Sequence, residues 1–438
     1  MDPDAPEEAR KSLEIRRARL VALAIYALTT ALLFATTAPE RLRGHTPFNH
    51  FALLADAWIH GRLDLGGPPP AYTGNNDFAS DGARWFVSFP PFPAVLIAPL
   101  VKLAGSADRV ADGRFFGWFG GVAPALLFLA LDKLARQGRS RRTLSENALL
   151  ALLFAFGSVY WFSAVQGTVW FVAHVVGAAL AAAYIYCSLD AAHPLLAGLA
   201  LALGFATRTP LGFAFPFFLI EAHRAARKTD TQRAALLHSL TLFGAPIAAV
   251  LAALMWHNRA RFGDPFEFGH RLLLIGWRGR IDKWGLFSYH YLGRNLAVVL
   301  TDLPFVDPLH VKGLAPFQIN AHGLPLWLTS PFFAWALWPR RTGRLFWTLA
   351  LTALCVAAPS LLYQNSGWIQ FGYRFSNDFA PFVILMIAVG GRRLSPPFWA
   401  LGAAAVAVNA FGALTFQRAG YERFYFVDNS QKVLHQPD

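Results

Sequence analysis

Apolar runs of about twenty residues, separated by short polar stretches, dominate the chain. A run of ~18 or more apolar residues is long enough to cross a bilayer core as a helix. The first runs from Leu20 to Ala38. Others follow at Phe115–Leu134, Asn147–Ala164, Trp170–Leu189, Leu240–Trp256, 322–338, Leu345–Leu362, Phe379–Val389 and 397–415. Segment 194–222 carries Thr207-Arg208-Thr209-Pro210 at its centre. An arginine at mid-depth is costly, so this segment reads as two shorter helices broken at a water-lined point. The pattern predicts an all-α polytopic membrane protein of about eleven transmembrane helices, with large first and fourth outer loops containing surface helices.

Charge orients that pattern. Basic residues gather in short connections (Lys133, Arg136, Arg139, Arg141 and Arg142; Arg224, Arg227, Lys228 and Arg233; Arg340-Arg341; Arg392-Arg393), which the positive-inside rule assigns to the cytoplasm. The polar segment 1–19 is then cytoplasmic, 20–415 forms one membrane domain with outer loops 39–112, 257–321 and 363–378, and the tail 416–438 lies outside. The apolar stretch after Pro90-Pro91-Phe92-Pro93 ends at Leu103 and is too short to cross. Were it to cross, Lys133–Arg142 would land outside, so it is expected as a partly buried, non-spanning helix. Asn49–His60 and Leu296–Phe305 are expected as helical pieces on the membrane surface.

Composition agrees. Of 438 residues 55% are hydrophobic and 15% charged, against about 25% charged in soluble domains, and the mean hydropathy is +0.37. The net charge of +13 sits in the short loops, which excludes a nucleic-acid role. Cys187 and Cys355 fall inside predicted helices, so no disulfide framework or zinc site is expected. The first apolar run is too long for a signal sequence and is read as a retained helix, in a bacterial inner membrane.

The chemistry-bearing groups concentrate on the outer side. Loop Phe48–Pro93 holds His50, Asp56, His60, Arg62, Asp64, Asp77, Asp81 and Arg84. Asn49, Asp56 and His60 share one helical face. Asp56 reads as a general base if burial raises its pKa, or equally as a surface charge or a partner of Arg62. Arg208, flanked by threonines at a proline break, suits a phosphate or a cation reaching for the interface. In Gln370-Phe371-Gly372-Tyr373-Arg374, aromatic side chains can stack on a sugar ring, and Arg374 pairs with a phosphate or with Asp378 at i+4. Nucleotide-binding loops are absent from the sequence. Asp56, Asp77, Asp81, His50 and His270 offer hard metal ligands without diagnostic spacing, so the cofactor is left unknown.

In order and local pattern the chain resembles the C-type membrane glycosyltransferases, which include aminoarabinose transferases and protein O-mannosyltransferases. The resemblance rests on Ala55 to Gly61 in the first outer loop, the pair Pro90-Pro91, the break with Gly204, Thr207, Arg208 and Pro210, and the late Gly372, Arg374 and Phe375. It implies transfer of a sugar from a polyprenyl-phosphate donor to a lipid, glycan or protein acceptor on the periplasmic face. It also implies an acidic base in the first outer loop and cations on the donor phosphate. The family's acid stands just after the first helix, where this chain has Asn49-His50, and the lysine before its proline pair is Phe89 here. Either the roles pass to Asp56 (or His50) and Arg84, or the reaction has changed. The resulting assignment makes Asp56 the base, with Asp81 or His50 in its place otherwise. Arg84, Arg208 and Arg374 hold the phosphate, and Trp85, Trp170 and Tyr373 line the groove. Asn49, His60, Arg62, His270 and Gln370 complete the expected binding set. The alternative class is a transporter or flippase of a lipid-linked or anionic solute, which predicts inverted repeats; the sequence has one clear break and no matching halves. A non-catalytic membrane scaffold would need no phosphate site.

Overall fold

A computed structural model describes residues 7–306 and 315–425. Residues 1–6, the loop 307–314 with Lys312, and 426–438 of the expected outer tail lie outside the described residues. The helices used below are α1 (Glu7–Thr36), α2 (His50–Ile59), α3 (Phe92–Ala104), α4 (Val122–Arg136), α5 (Leu144–Phe156), α6 (Val169–Ser188), α7 (Pro194–Phe205), α8 (Phe215–Ala226), α9 (Gln232–Phe262), α10 (Leu292–Leu300), α11 (Arg344–Leu361), α12 (Ala380–Val389) and α13 (Pro396–Thr415). Strands β1 (Phe78–Ser80) and β2 (Trp85–Val87) form an antiparallel hairpin.

The chain is an all-α polytopic membrane protein. Six segments are long and apolar enough to span, those of α1, α4 with the turn before it, α6, α9, α11 and α13. The other expected crossings are built from shorter pieces. Run 147–164 is interrupted at Gly157-Ser158, and 322–338 is not one helix but a turn at Leu326–Thr329 followed by a 3-10 segment, Pro331–Ala336. Pro325 and Pro331 supply no N–H to a ladder and set these starts. The polar segment expected to end at residue 19 is instead continuous with α1 from Glu7. The stretch after Pro91 is α3, 13 residues, or about 20 Å at 1.5 Å per residue, and does not reach across a core of ~30 Å.

α6 is the post of the fold. Its 20 residues rise about 30 Å, and its sequence has no polar face, as an all-round buried helix requires. α4, α7, α8 and α12 surround it in one core with Leu127, Phe154, Phe171, Tyr184, Phe217 and Phe382. α9 is the opposite case: only 6% of its apolar window is buried against the chain, the exposure expected of a lipid-facing helix. The start of α6 is fixed by a backbone crossing. Gly167, at φ +71, lies so close to Gly113 that a Cβ there would meet Gly113 Cα at 2.7 Å, which no side chain tolerates.

The bundle has two chemically different ends. At one, the C-terminus of α1 meets the start of α6: Trp161 Nε1 donates to Thr36 Oγ1 at 3.1 Å, and Phe416 beyond α13 packs on Phe162 and Phe171. The break between α7 and α8 is at the same end, and the freed carbonyl of Ala206 is capped by Phe92 N at 2.9 Å, as a break at membrane depth demands. The other end is basic. There Arg139 pairs with Glu221 at 2.6 Å, Arg142 Nη2 donates to Ile387 O at 3.0 Å, and Thr143 with Glu146 caps α5 reciprocally.

Candidate active site

Three segments meet at the first end: the turn before β1, the N-terminal turns of α6, and loop 363–378 with the break at Arg208. Asp378 is their centre. Its side chain is 1% exposed; Oδ1 and Oδ2 take Arg208 Nε and Nη2 at 3.2 and 2.6 Å, and Oδ1 also faces His174 Nδ1 at 3.3 Å. Burial alone would raise this carboxyl, but the cationic Arg208, followed by His174, overrides it and holds Asp378 at about 2. Arg208 reaches it because α6 has a glycine opposite: a Cβ on Gly177 would meet Arg208 Cγ at 3.0 Å.

Arg374 lies beside this pair without bonding to it. Its Nη1 donates to the carbonyls of Gly367 and Ile369. Arg208 and Arg374 both sit against the ring of Phe375, at 5.1 and 5.3 Å from its centroid. Burial first, and then Arg208, push the Arg374 pKa down; an arginine starts so high that it stays a cation. Gln370 is a brace: Oε1 accepts from Arg374 N at 2.9 Å and Nε2 donates to His322 O and Ser366 O at 2.7 and 2.9 Å. Among the described residues the buried Tyr373 hydroxyl and His174 Nε2 have no hydrogen-bond partner. Burial raises both the Tyr373 and the Tyr363 hydroxyl pKa.

The acid that faces this group is Asp77. It sits at φ +60, a left-handed conformation uncommon outside glycine, in the turn Asn75-Asn76-Asp77. Two bonds fix it there: Trp170 Nε1 donates to Asp77 Oδ2 at 2.7 Å, and His50 Nε2 meets Asn76 O at 2.8 Å. His50 is fully buried, stacked on Phe78 with ring centroids 4.2 Å apart. Burial drives its pKa down to about 4, so it is a neutral prop for the turn. The Asp77 residue is part-exposed, but its carboxyl turns inward, and burial raises its pKa against the opposing pull of Trp170 and Arg374.

The remaining expected residues are placed elsewhere. Asp56 stays on its own surface, 3.6 Å from His60 and 3.8 Å from Arg62; this matches its reading as a partner of Arg62, and His60 also bonds the Asp56 carbonyl. Asp81 and Arg84 close the β1–β2 turn on each other at 2.8 Å, and the backbone N–H groups of Arg84 and Ala83, with the Arg84 side chain, hold Asp81 low. Neither touches the arginine group. Trp85 sits in β2, its carbonyl bonded to Leu65 N at 2.8 Å. Asn49 accepts from Tyr72 at 3.2 Å. His270 belongs to the strap that bridges Leu273 to Ala79 of the hairpin, where burial lowers its pKa. Of the expected set, Arg208, Trp170, Tyr373, Arg374 and Gln370 come together, with His50 behind them. His174 and Phe375 were outside that set, and Asp77 and Asp378 stood in it only as a candidate ligand and a local partner. Among the described residues no group of three metal-ligating side chains converges.

Fold and site define a class: a polytopic helical membrane protein with a buried arginine–carboxylate centre at one end of the bundle and a basic opposite end. No protein-family model matches the sequence, and no curated protein does. Among solved structures the chain is similar to two crystal structures of the Archaeoglobus fulgidus oligosaccharyltransferase. One is the apo form (13% identity, TM-score 0.43, 90% of this chain and 56% of that one). The other is tethered by a disulfide to an acceptor peptide containing the NVT sequon (12% identity, TM-score 0.40, 90% and 55%). The chain spans little more than half the length of these structures.

Proposed function

We propose that the protein is a membrane glycosyltransferase that moves a sugar from a polyprenyl-phosphate carrier to a lipid, glycan or protein acceptor. The site faces the periplasm in this proposal, because the opposite end carries Arg139, Arg142, Arg224 and Arg392 and takes the cytoplasmic side under the positive-inside rule. The observation that carries the proposal is the inward-turned Asp77 carboxyl, held by Trp170 and within the field of Arg374, which stands beside the Arg208–Asp378 pair.

Transfer to a hydroxyl or amide needs a base to take the acceptor proton while the carrier phosphate leaves. Asp77 has the attributes of that base: its pKa is moved toward neutrality by burial, and its orientation is held by Trp170. Arg208 keeps Nη1 free of protein bonds among the described residues, so one edge of the guanidinium can receive a phosphate oxygen while the other is held by Asp378. Trp170, which is half-buried, supplies a ring face on which a sugar or prenyl chain can lie. In this assignment Asp77 takes the place first given to Asp56, and Arg84 drops out.

The test is release of polyprenyl phosphate from a radiolabelled polyprenyl-phosphate sugar in proteoliposomes. Asp77→Asn is expected to slow release by about 10²–10⁴-fold with the helical circular-dichroism signal kept, and Asp56→Asn to leave it unchanged. Wild-type turnover in folded Asp77→Asn would remove the base.

A further inference from the structure

A hollow lies at the basic end, on the far side of the bundle from the arginine–carboxylate centre. It has a volume of about 400 Å³ and is lined by Gln137, Arg139, Asp190, Arg224, Ala225 and Lys228, within the size range of ligand sites. Its charge arrangement is informative. The two carboxylates near it are already engaged: Glu221 accepts from Arg139 Nη1 and Nη2 at 2.7 and 2.6 Å, from Arg224 Nη2 at 2.9 Å and from Asp190 N at 2.9 Å. Asp190 accepts from Gln137 and Arg224. The donors are not exhausted. Arg224 Nη1 and the ammonium of Lys228 make no bond among the described residues. Three cations against two carboxylates leave one positive charge over, and it faces the cavity.

Helix C-termini attract cations unaided, and with Glu221 this accounts for Arg139 and Arg224. Lys228, an exposed residue just beyond the end of α8, belongs to the basic cytoplasmic loop and pairs with no carboxylate among the described residues. We propose that the hollow is a binding site for a phosphate monoester or diester, held by Lys228 and the free edge of Arg224. It is separate from the transferase site and does not depend on that assignment. The same phosphate chemistry comes from an anionic lipid headgroup or from free phosphate.

Two measurements on the full chain separate the sources: native mass spectrometry of detergent-solubilised protein with added phosphatidylglycerol or phosphatidylcholine, and thermal unfolding with inorganic phosphate. Lys228→Glu reverses the unpaired charge in the hollow, whereas Arg227→Glu makes the same change on an exposed neighbour that does not line it. Retention of phosphatidylglycerol over phosphatidylcholine, weakened about tenfold by Lys228→Glu but not by Arg227→Glu, supports a headgroup site. Stabilisation by inorganic phosphate with the same variant pattern and no lipid preference supports a site for free phosphate. Equal losses in both variants mean diffuse surface charge and overturn the proposal, as does indifference to all three ligands.

Discussion

Replacing Asp378 by asparagine keeps the side chain's shape and removes its charge. The carboxylate is 1% exposed and its partner Arg208 18%, so the change strands a guanidinium that is mostly buried. Removing one partner of a buried pair costs about 3–5 kcal/mol. The open edge of Arg208 admits water, which brings the expectation to about 2–3 kcal/mol. Linkage provides a second route. The neighbouring cations hold the Asp378 carboxyl well below its ordinary value, so folding favours its ionised form. The sign follows from the depressed folded pKa: this stability is complete above the unfolded value near 3.8 and is lost as the pH falls toward 2. Unfolding by sodium dodecyl sulfate in mixed micelles, followed by circular dichroism, measures it. Asp378→Asn should lose about 2–3 kcal/mol at pH 7, the gap to wild type narrowing as the pH falls from 4 to 2. Arg208→Gln should be strongly non-additive with it. A difference below about 0.5 kcal/mol, with additive double variants, would refute the pairing.

Gly177→Val places methyl groups where Arg208 Cγ already lies 3.0 Å from an ideal Cβ; overpacking of this kind costs about 1–3 kcal/mol, and donor release should fall further than in Gly244→Val, whose glycine has open space. Trp170→Phe removes the bond that draws the Asp77 pKa down, so the acid limb of the pH–rate profile should move to higher pH; an unmoved limb would separate Asp77 from the rate. Asp77→Asn should raise unfolding stability at pH 7, since a carboxyl whose folded pKa is raised destabilises the fold above its unfolded pKa and the amide carries no such charge; lower stability in the micelle assay would contradict the burial of that group.

Features written in adjacent residues were the ones open to prediction. The break at 205–209 follows from an arginine and a proline within three positions of an apolar run, and the structure has α7, Arg208 and α8 there. α3 was legible because its length is itself the constraint. The run 322–338 misled because its hydropathy is that of a helix, while Pro325 and Pro331, which interrupt it, are apolar too and do not lower the average. The far larger length of α9, from Gln232 to Phe262, shows the same insensitivity at helix ends: polar residues past the membrane core continue the ladder without any apolar signal.

The site was obscured for a different reason. Its bonds join residues 204 and 170 positions apart, His174 to Asp378 and Arg208 to Asp378, and no local spacing encodes such a meeting. The local rule in fact pointed the other way. Arg374 and Asp378 stand at i and i+4, a pairing that belongs to an α-helix, but the segment is a 3-10 turn. There Arg374 turns to the carbonyls of Gly367 and Ile369, leaving Asp378 for Arg208. Asp77 was hidden by its neighbours: Asn75-Asn76-Asp77 has the composition of an ordinary turn, and only the partners across the fold, Trp170 and His50, show that the turn aims a carboxyl inward. An amphipathic face is a property of one helix and can nominate Asp56. Burial of a charge is a property of several segments at once, and it is the inward turn onto Trp170 that separates Asp77 from Asp56 and Asp81.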